Sequence, residues 1–105
     1  MTGKCESVRI RFVNGTGMTI NIPETGHTVE NPGSFAEGEK SLKLGHSLQL
    51  KPGASASVTE DLTVRCADDL IFRIAYPGTG DRDFSQRFTN VNVEDADATL
   101  TLTQN

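Results

Sequence analysis

The chain is poor in aromatic residues: its 105 residues include no tryptophan, one tyrosine and five phenylalanines. Sugar-binding sites usually need flat aromatic platforms, so this composition disfavours carbohydrate recognition. Long apolar runs are also missing, since none approaches the roughly 20 residues that cross a bilayer. The first residues, MTGKCESVRI, contain no signal-peptide core. We therefore expect a soluble protein and favour a cytoplasmic location, unless a leader was removed.

Basic residues are scarce in the second half of the chain. From Gly53 onward there are nine acidic residues and four arginines, and the formal net charge of the whole chain is -4. Phosphate backbones are bound by clustered lysine and arginine, so nucleic acid is not an expected partner. The same charge balance disfavours a polybasic attraction to anionic lipid.

Cysteine is limited to Cys5 and Cys66. These two residues allow one disulfide, but their spacing does not require it, and free thiols are slightly favoured. Two cysteines without a CxxC motif are too few for a zinc site unless histidine contributes.

The dominant pattern of the sequence is short segments in which apolar and polar residues alternate with a period of two. One face of SVRIRF, of LIFRIAY and of ATLTLT is apolar, and polar residues lie between. Segments with glycine or proline separate these pieces, and no window has a helical period of adequate length. We predict an all-β fold: an antiparallel β-sandwich of seven to nine short strands, in a single domain over residues 1–105, with a small barrel as the alternative.

The stretch VRIRFVNGTGMTINI places Asn14 and Gly15 between two alternating runs, which is typical of a tight β-hairpin. A two-residue turn would put the two apolar rows on opposite faces, so the pattern favours an odd-length loop with Met18 facing inward. We predict that Gly15 or Gly17 takes the left-handed conformation in a bulged turn. The prediction lapses if the two runs enter different sheets.

Catalytic motifs are missing. There is no G-x-S-x-G elbow, and PGTGD lacks the lysine and following helix of a phosphate-binding loop. His46 shares parity with Leu44 and Leu48, so a continuous strand would bury it, whereas a turn through GHS would place it at a loop tip. His27 lies in the irregular segment 23–40, where only HTVE suggests a strand, and we expect it to be solvated. An enzyme is the least favoured class.

Acidic residues recur in the connections between the predicted strands, in CADDL, GTGDRDF and VEDADA. Loop carboxylates are the ligands that calcium prefers, and loops at one end of a sandwich can converge. Acidic loops are also common in acidic proteins, and none of these stretches matches an EF-hand. A calcium site is thus a candidate metal centre, with Asp68, Asp69, Asp81, Asp83, Asp95 and Asp97 as its ligands.

Two aromatic residues are candidate contacts for a ligand or partner. Phe35 lies in the glycine- and proline-containing loop NPGSFAEG, where it either anchors the loop or is exposed. Tyr76 directly precedes PGTGD and carries a hydroxyl at the mouth of that loop. Packing of the loops themselves is the alternative role for both residues.

The order IRFVNGTGMTINI, LQLKPGASASV, LIFRIAYPGTGDRDF resembles the layout of small aegerolysin-type β-sandwich proteins over about half the chain. In that family a strand, an asparagine-containing turn and a second strand are followed by a strand leading into Pro-Gly, and later by a strand ending in a Pro-x-x-Gly loop. Residues 77–80 would form that loop here. The resemblance implies an aegerolysin-like sandwich and recognition of membrane lipid, and an immunoglobulin-like sandwich stays open as the alternative.

Together these observations predict a non-enzymatic binding module that works through loops or a sheet edge. A protein partner or self-association is favoured, with no cofactor other than possible calcium. The alternatives are an aegerolysin-like protein that binds a lipid membrane surface, and a structural subunit that adds its sheet edge to a neighbour.

Overall fold

The chain folds into β-strands alone within the part that the computed structural model describes, namely residues 4–32, 38–65, 68–77 and 83–103. This confirms the predicted all-β class and the predicted strand number. The nine strands are β1 (Lys4–Asn14), β2 (Ile20–Ile22), β3 (His27–Glu30), β4 (Glu39–Leu42), β5 (Leu48–Leu50), β6 (Ser55–Arg65), β7 (Asp69–Pro77), β8 (Asp83–Asn92) and β9 (Asp97–Leu102). No helix long and apolar enough to cross a membrane occurs in these described ranges.

The strands form three sheets. One has the order β6-β1-β9, a second consists of β2 and β5, and the third has the order β4-β3-β7-β8. The pairings are antiparallel, with one exception among them: β9 runs parallel to β1, with Arg9 opposite Asp97 and Asn14 opposite Leu102. That pairing joins the first and last strands of the described chain.

The core follows the alternation of the sequence. Buried apolar residues from all three sheets form one cluster, which is compatible with the predicted sandwich. Alternate burial is clearest in β7, where Leu70, Phe72, Ile74 and Tyr76 are buried. The inward row of β1 behaves in the same way and ends in a polar residue, Asn14.

The predicted hairpin between the first two strands is wrong. β1 belongs to the three-stranded sheet, whereas β2 pairs only with β5 among the described strands. Neither Gly15 nor Gly17 has a positive φ, and Met18 is 40 % exposed rather than inward. The stretch between the strands is therefore a connection from one sheet to another, and the parity argument for a bulged turn does not apply.

The structure decides between the two alternatives for His46 and contradicts the expectation for His27. His46 is exposed at the bend between Leu44 and β5, which is the loop-tip alternative. His27, expected to be solvated, is 2 % exposed in β3. Its Nδ1 accepts the main-chain N–H of Ala75 at 3.0 Å, so the proton resides on Nε2, which donates to the carbonyl of Pro23 at 2.6 Å. The His27 ring thus satisfies two main-chain groups in the core, one N–H and one C=O.

Candidate functional site on strand β9

The outward-facing side chains of the β6-β1-β9 sheet form an ordered polar surface, here called the outer face. Because successive residues of a strand point to opposite faces, every second residue of three paired strands lies on it. The registers place these residues in three rows across the sheet. The rows are Thr59, Arg9 and Asp97; Ser57, Arg11 and Thr99; and Ser55, Val13 and Thr101.

Arg9 and Asp97 form a two-point ion pair at one end of the outer face. Arg9 Nε donates to Asp97 Oδ1 at 2.7 Å, and its Nη2 donates to Oδ2 at 3.1 Å. This contact with Arg9 lowers the pKa of the Asp97 carboxyl, and the contact with Asp97 raises the pKa of the Arg9 guanidinium. Both carboxylate oxygens of Asp97 are engaged by one arginine, so its charge is locally compensated.

Arg11 occupies the centre of the outer face. Its Nη2 lies 3.3 Å from Ser55 Oγ, and its direct cross-strand neighbours are Ser57 and Thr99. An open groove of about 440 Å³ runs over this region. The groove is lined by Arg9, Arg11, Ser55, Ala56, Ser57, Asp97 and Thr99.

A second groove, of about 550 Å³, lies between the facing edges of β8 and β9. Asp97 and Thr99 line both grooves. The remaining wall is acidic and amide-rich: Asn90, Val91, Asn92, Glu94 and Asp95. Asn90 has a φ of 54° and lies at the bulge between β7 and β8. β9 is thus the common boundary of a cationic and an anionic groove.

The main chain of β9 has an open edge toward this second groove. In a parallel pair the residues that bond to the neighbouring strand alternate along the chain. Arg9 N–H donates to Ala96 O and Gly15 N–H donates to Leu102 O, both at 2.8 Å, so the even-numbered residues of β9 bond to β1. The N–H and C=O groups of Thr99 and Thr101 therefore point away from β1. No described strand pairs with them there.

Each end of this open edge is occupied. At one end, Glu94 and Asp97 exchange main-chain hydrogen bonds of 3.1 and 2.9 Å. At the other, the amide of Gln86 replaces the peptide of a neighbouring strand: its Oε1 accepts Thr103 N–H at 3.0 Å, and its Nε2 donates to Thr103 Oγ1 at 3.0 Å. The open edge is therefore limited to Thr99 and Thr101.

Tyr76, a predicted contact residue, belongs to the closed end of this edge. Its ring is 7 % exposed, and burial raises the pKa of the phenol. The hydroxyl lies 3.2 Å from Thr103 O and 3.3 Å from Gln86 Oε1. The structure therefore places Tyr76 as a link between β7, β8 and the residue after β9, and a contact of Tyr76 with a ligand or partner stays a prediction.

The described aspartates of the predicted calcium site do not share one environment, and three of them bond to three different residues. Asp68 Oδ2 accepts the Asn31 amide at 2.9 Å, and Asp69 Oδ1 accepts the Asn92 amide at 3.0 Å. Asp97 is paired with Arg9, and Asp95 is exposed in the turn before β9. No group of three or more His, Cys, Asp or Glu side chains within the described residues could hold a metal ion.

Several predicted site residues lie outside the described part of the chain. Phe35 and Asp81 are among them, as is the side chain of Asp83, whose main chain belongs to β8. The side chains of Cys5 and Cys66 are not described either. A calcium site that includes all six aspartates, and a contact made by Phe35, therefore stay predictions.

Sequence reasoning did not identify the open edge or the central position of Arg11. Alternation in VRIRF and ATLTLT indicated that Arg9, Arg11 and the threonines face outward, but it did not indicate which strands are neighbours. The signal that these residues share one surface is the register of β1 with β9, 88 positions apart at Arg9 and Asp97. Comparison with family models, with characterised proteins and with solved structures finds no match to this chain.

Proposed function

We propose that this chain is a non-enzymatic binding module that adds an extended segment of a partner protein to the open edge of β9. The observation that carries the proposal is that the main-chain groups of Thr99 and Thr101 point away from β1, with Thr99 lining the groove between β8 and β9. An exposed strand edge is a template for another strand, and main-chain hydrogen bonds supply affinity in such complexes.

The walls of the groove favour a basic segment. Glu94 and Asp95 supply carboxylates, and Asn90 supplies an amide that accepts or donates hydrogen bonds. Asp97 adds little charge because Arg9 pairs with both of its oxygens. A lysine or arginine that extends from an added strand toward Glu94 or Asp95 would meet opposite charge, which favours the partner's orientation as well as its association rate.

The closed ends limit the length of the segment. Thr99 and Thr101 offer two N–H donors and two C=O acceptors over about 7 to 10 Å of strand, which matches roughly three or four added residues. Each main-chain bond contributes about 1 kcal/mol net, and association opposes binding through lost freedom of motion. We expect weak binding, with Kd between roughly 10 µM and 1 mM.

The test uses a fluorescein-labelled peptide of alternating valine and lysine, measured by fluorescence anisotropy and by amide chemical shifts. Binding should shift the amide resonances of Thr99 and Thr101. It should weaken when glutamate replaces lysine, and disappear when alternate peptide nitrogens are methylated, because methylation removes the donors that face β9. No anisotropy change up to about 1 mM peptide, the upper limit set above, would overturn the proposal.

Two protein variants distinguish the effect of charges in the groove wall from the effect of the overall charge of the protein. The double substitution Glu94→Gln with Asp95→Asn should weaken binding of the lysine peptide about 3- to 10-fold, since it removes two charges from the groove wall. Glu24→Gln removes an exposed charge that does not line the groove and should change binding little. Equal effects of the two changes would contradict the role of the groove.

The alternative partners give different results in the same preparation. A mass that rises with concentration in light scattering, and falls with Thr99→Pro, would assign the open edge to a second copy of this chain instead. Binding to a lipid surface, which the aegerolysin resemblance implies, stays a prediction. Among the described residues, Met18 is the large hydrophobic side chain that is exposed to solvent. Co-sedimentation with liposomes that Phe35→Ala abolishes would support it.

A further inference from the structure

We propose that Arg11 and the hydroxyl side chains around it on the outer face bind a phosphoryl group. The site is the groove of about 440 Å³ over the β6-β1-β9 sheet. It is independent of the binding of a strand at the open edge, because it uses side chains of the sheet face and not the main chain of β9.

Arg11 has unused binding capacity. A guanidinium has five N–H donors in a fixed planar arrangement that suits two oxygens of one ligand. The side-chain hydrogen bond that Arg11 makes within the described residues is the contact with Ser55 Oγ, at 3.3 Å. Asp97, in the row next to that of Arg11, already has both of its oxygens bonded to Arg9, and Asp61 lies on the same face two rows from Arg11. The Arg9–Asp97 pair thus leaves Arg11 available to an external anion.

The neighbours of Arg11 are hydroxyl groups on both sides. Ser57 of β6 and Thr99 of β9 lie directly opposite it, and side chains directly opposite each other in an antiparallel pair, such as Arg11 and Ser57, typically have Cβ atoms about 5 Å apart. Ser55 lies diagonally and also lines the groove. Hydroxyl groups rotate and can each donate one hydrogen bond to an oxyanion.

The number of donors favours a tetrahedral oxyanion over a carboxylate. Two guanidinium N–H groups and the hydroxyls of Ser55, Ser57 and Thr99 come from three adjacent strands, so they approach a ligand from different directions. A planar carboxylate is satisfied by the guanidinium alone, in a two-point contact. A phosphoryl group has three terminal oxygens and can accept from the hydroxyls as well. The site therefore selects for phosphoryl chemistry.

The test is an NMR titration of the full chain at constant ionic strength with inorganic phosphate, phenyl phosphate and phenylacetate. We expect both phosphates to shift the Arg11 Nε–H resonance and the amides of Ser57 and Thr99, with Kd of roughly 1 to 10 mM for this exposed site. Phenylacetate should bind at least about 5-fold more weakly. Equal shifts with all three anions, or with chloride alone, would overturn the proposal.

Variants of exposed arginines give the matched comparison. Arg11→Gln should weaken phosphate binding at least about 10-fold, and Arg11→Lys should weaken it less because a lysine keeps the charge but loses the two-point contact. Arg87→Gln removes an exposed charge of β8, on a different sheet, and should leave phosphate binding unchanged. Loss of binding with Arg87→Gln equal to that with Arg11→Gln would overturn the assignment to the outer face.

Two further measurements distinguish the sources of the phosphoryl group, namely a free phosphate ion, a phosphate ester or a lipid headgroup. Tighter binding of phenyl phosphate than of inorganic phosphate indicates a phosphate ester, and equal binding indicates the free ion. Co-sedimentation with phosphatidic acid vesicles that Arg11→Gln abolishes indicates a lipid headgroup. Vesicle binding that persists in Arg11→Gln, together with absent shifts in both phosphate titrations, would overturn the proposal.

Discussion

The side-chain amide of Asn14 donates to the carbonyl oxygen of Leu50 at 2.9 Å and so ties the end of β1 to β5. The same Nδ2 donates to Met18 O at 2.7 Å. Its Oδ1 accepts the main-chain N–H of Thr16 at 2.9 Å and the Thr16 hydroxyl at 2.6 Å. Asn14 is fully buried, and every donor and acceptor of its amide is used. This network holds the chain at the point where it leaves one sheet for another.

Replacing Asn14 with aspartate keeps the shape of the side chain and removes its two donors. A buried carboxylate would then face the carbonyl oxygens of Met18 and Leu50. We expect Asn14→Asp to lower the free energy of unfolding by about 3 kcal/mol or more, measured by urea denaturation at neutral pH. Asn21→Asp on the exposed face of β2 is the matched control, with an expected change below about 0.5 kcal/mol. Similar losses for both would contradict this role of Asn14.

The two glycines of the same connection differ in the space around them. A Cβ atom on Gly15 would lie 2.9 Å from Leu102 O and 3.0 Å from Thr101 Cγ2, whereas one on Gly17 would meet nothing within 4 Å. Gly15→Ala should therefore cost about 1 to 3 kcal/mol in unfolding free energy, because β1 and β9 must separate slightly. Gly17→Ala should be neutral or slightly stabilising. Equal denaturation midpoints for the two variants would refute the close approach at Gly15.

The bonds of His27 fix one neutral tautomer. We expect ¹⁵N spectra to show a bare Nδ1 and a protonated Nε2, as required by the contacts with Ala75 N–H and Pro23 O. His27→Leu should lower unfolding free energy by about 2 to 4 kcal/mol, since it leaves two main-chain groups unpaired. The exposed His46 provides the comparison, and His46→Leu should change stability by less than about 0.5 kcal/mol. A proton found on Nδ1 would contradict the assigned bonds.

Glu60 is a carboxyl in the inward-facing row of β6, opposite Val8. Desolvation raises its pKa in the folded protein. A raised folded pKa means that stability is fully present below the unfolded pKa and falls as pH rises through the folded pKa. Glu60→Gln should therefore raise Tm at about pH 7 and leave it nearly unchanged at about pH 3, where the carboxyl is protonated in both states.

The control for this pH dependence is Glu24→Gln, which removes an exposed charge. Glu24→Gln should not raise Tm more at about pH 7 than at about pH 3. A gain for Glu60→Gln that is as large at about pH 3 as at about pH 7 would show that the cause is not the ionisation of Glu60. An inward charge on an edge strand also opposes pairing with another chain, which gives a reason for its presence despite its cost in stability.

The sequence predicts the faces of the strands well because period-two alternation directly reflects burial. The predicted inward rows of SVRIRF and LIFRIAY are buried as expected, namely Val8, Ile10 and Phe12 in the first and Leu70, Phe72, Ile74 and Tyr76 in the second. The pattern does not record which strands are neighbours. The prediction that Met18 faces inward depends on pairing of β1 with β2, whereas β2 pairs with β5 in a different sheet and Asn14 bonds to Leu50 of that sheet.

Polar burial and free main-chain edges depend on residues far away in sequence. His27 is buried because Ala75, 48 positions later, supplies a donor for its ring. The threonines of ATLTLT indicate an outward row, but the open edge at Thr99 and Thr101 exists because β9 pairs with β1 on one side and with no described strand on the other. Local patterns do not contain this information.

The pairing of β1 with β9 also determines the order in which the fold can form. β1 is the central strand of its sheet, yet its parallel partner is synthesised more than 80 residues later. One edge of β1 therefore lacks its partner until nearly all of the described chain has left the ribosome. Closing so long a loop is a slow step in folding, and the exposed edge of a nascent β1 is a site where chaperone contact or misassembly would occur first.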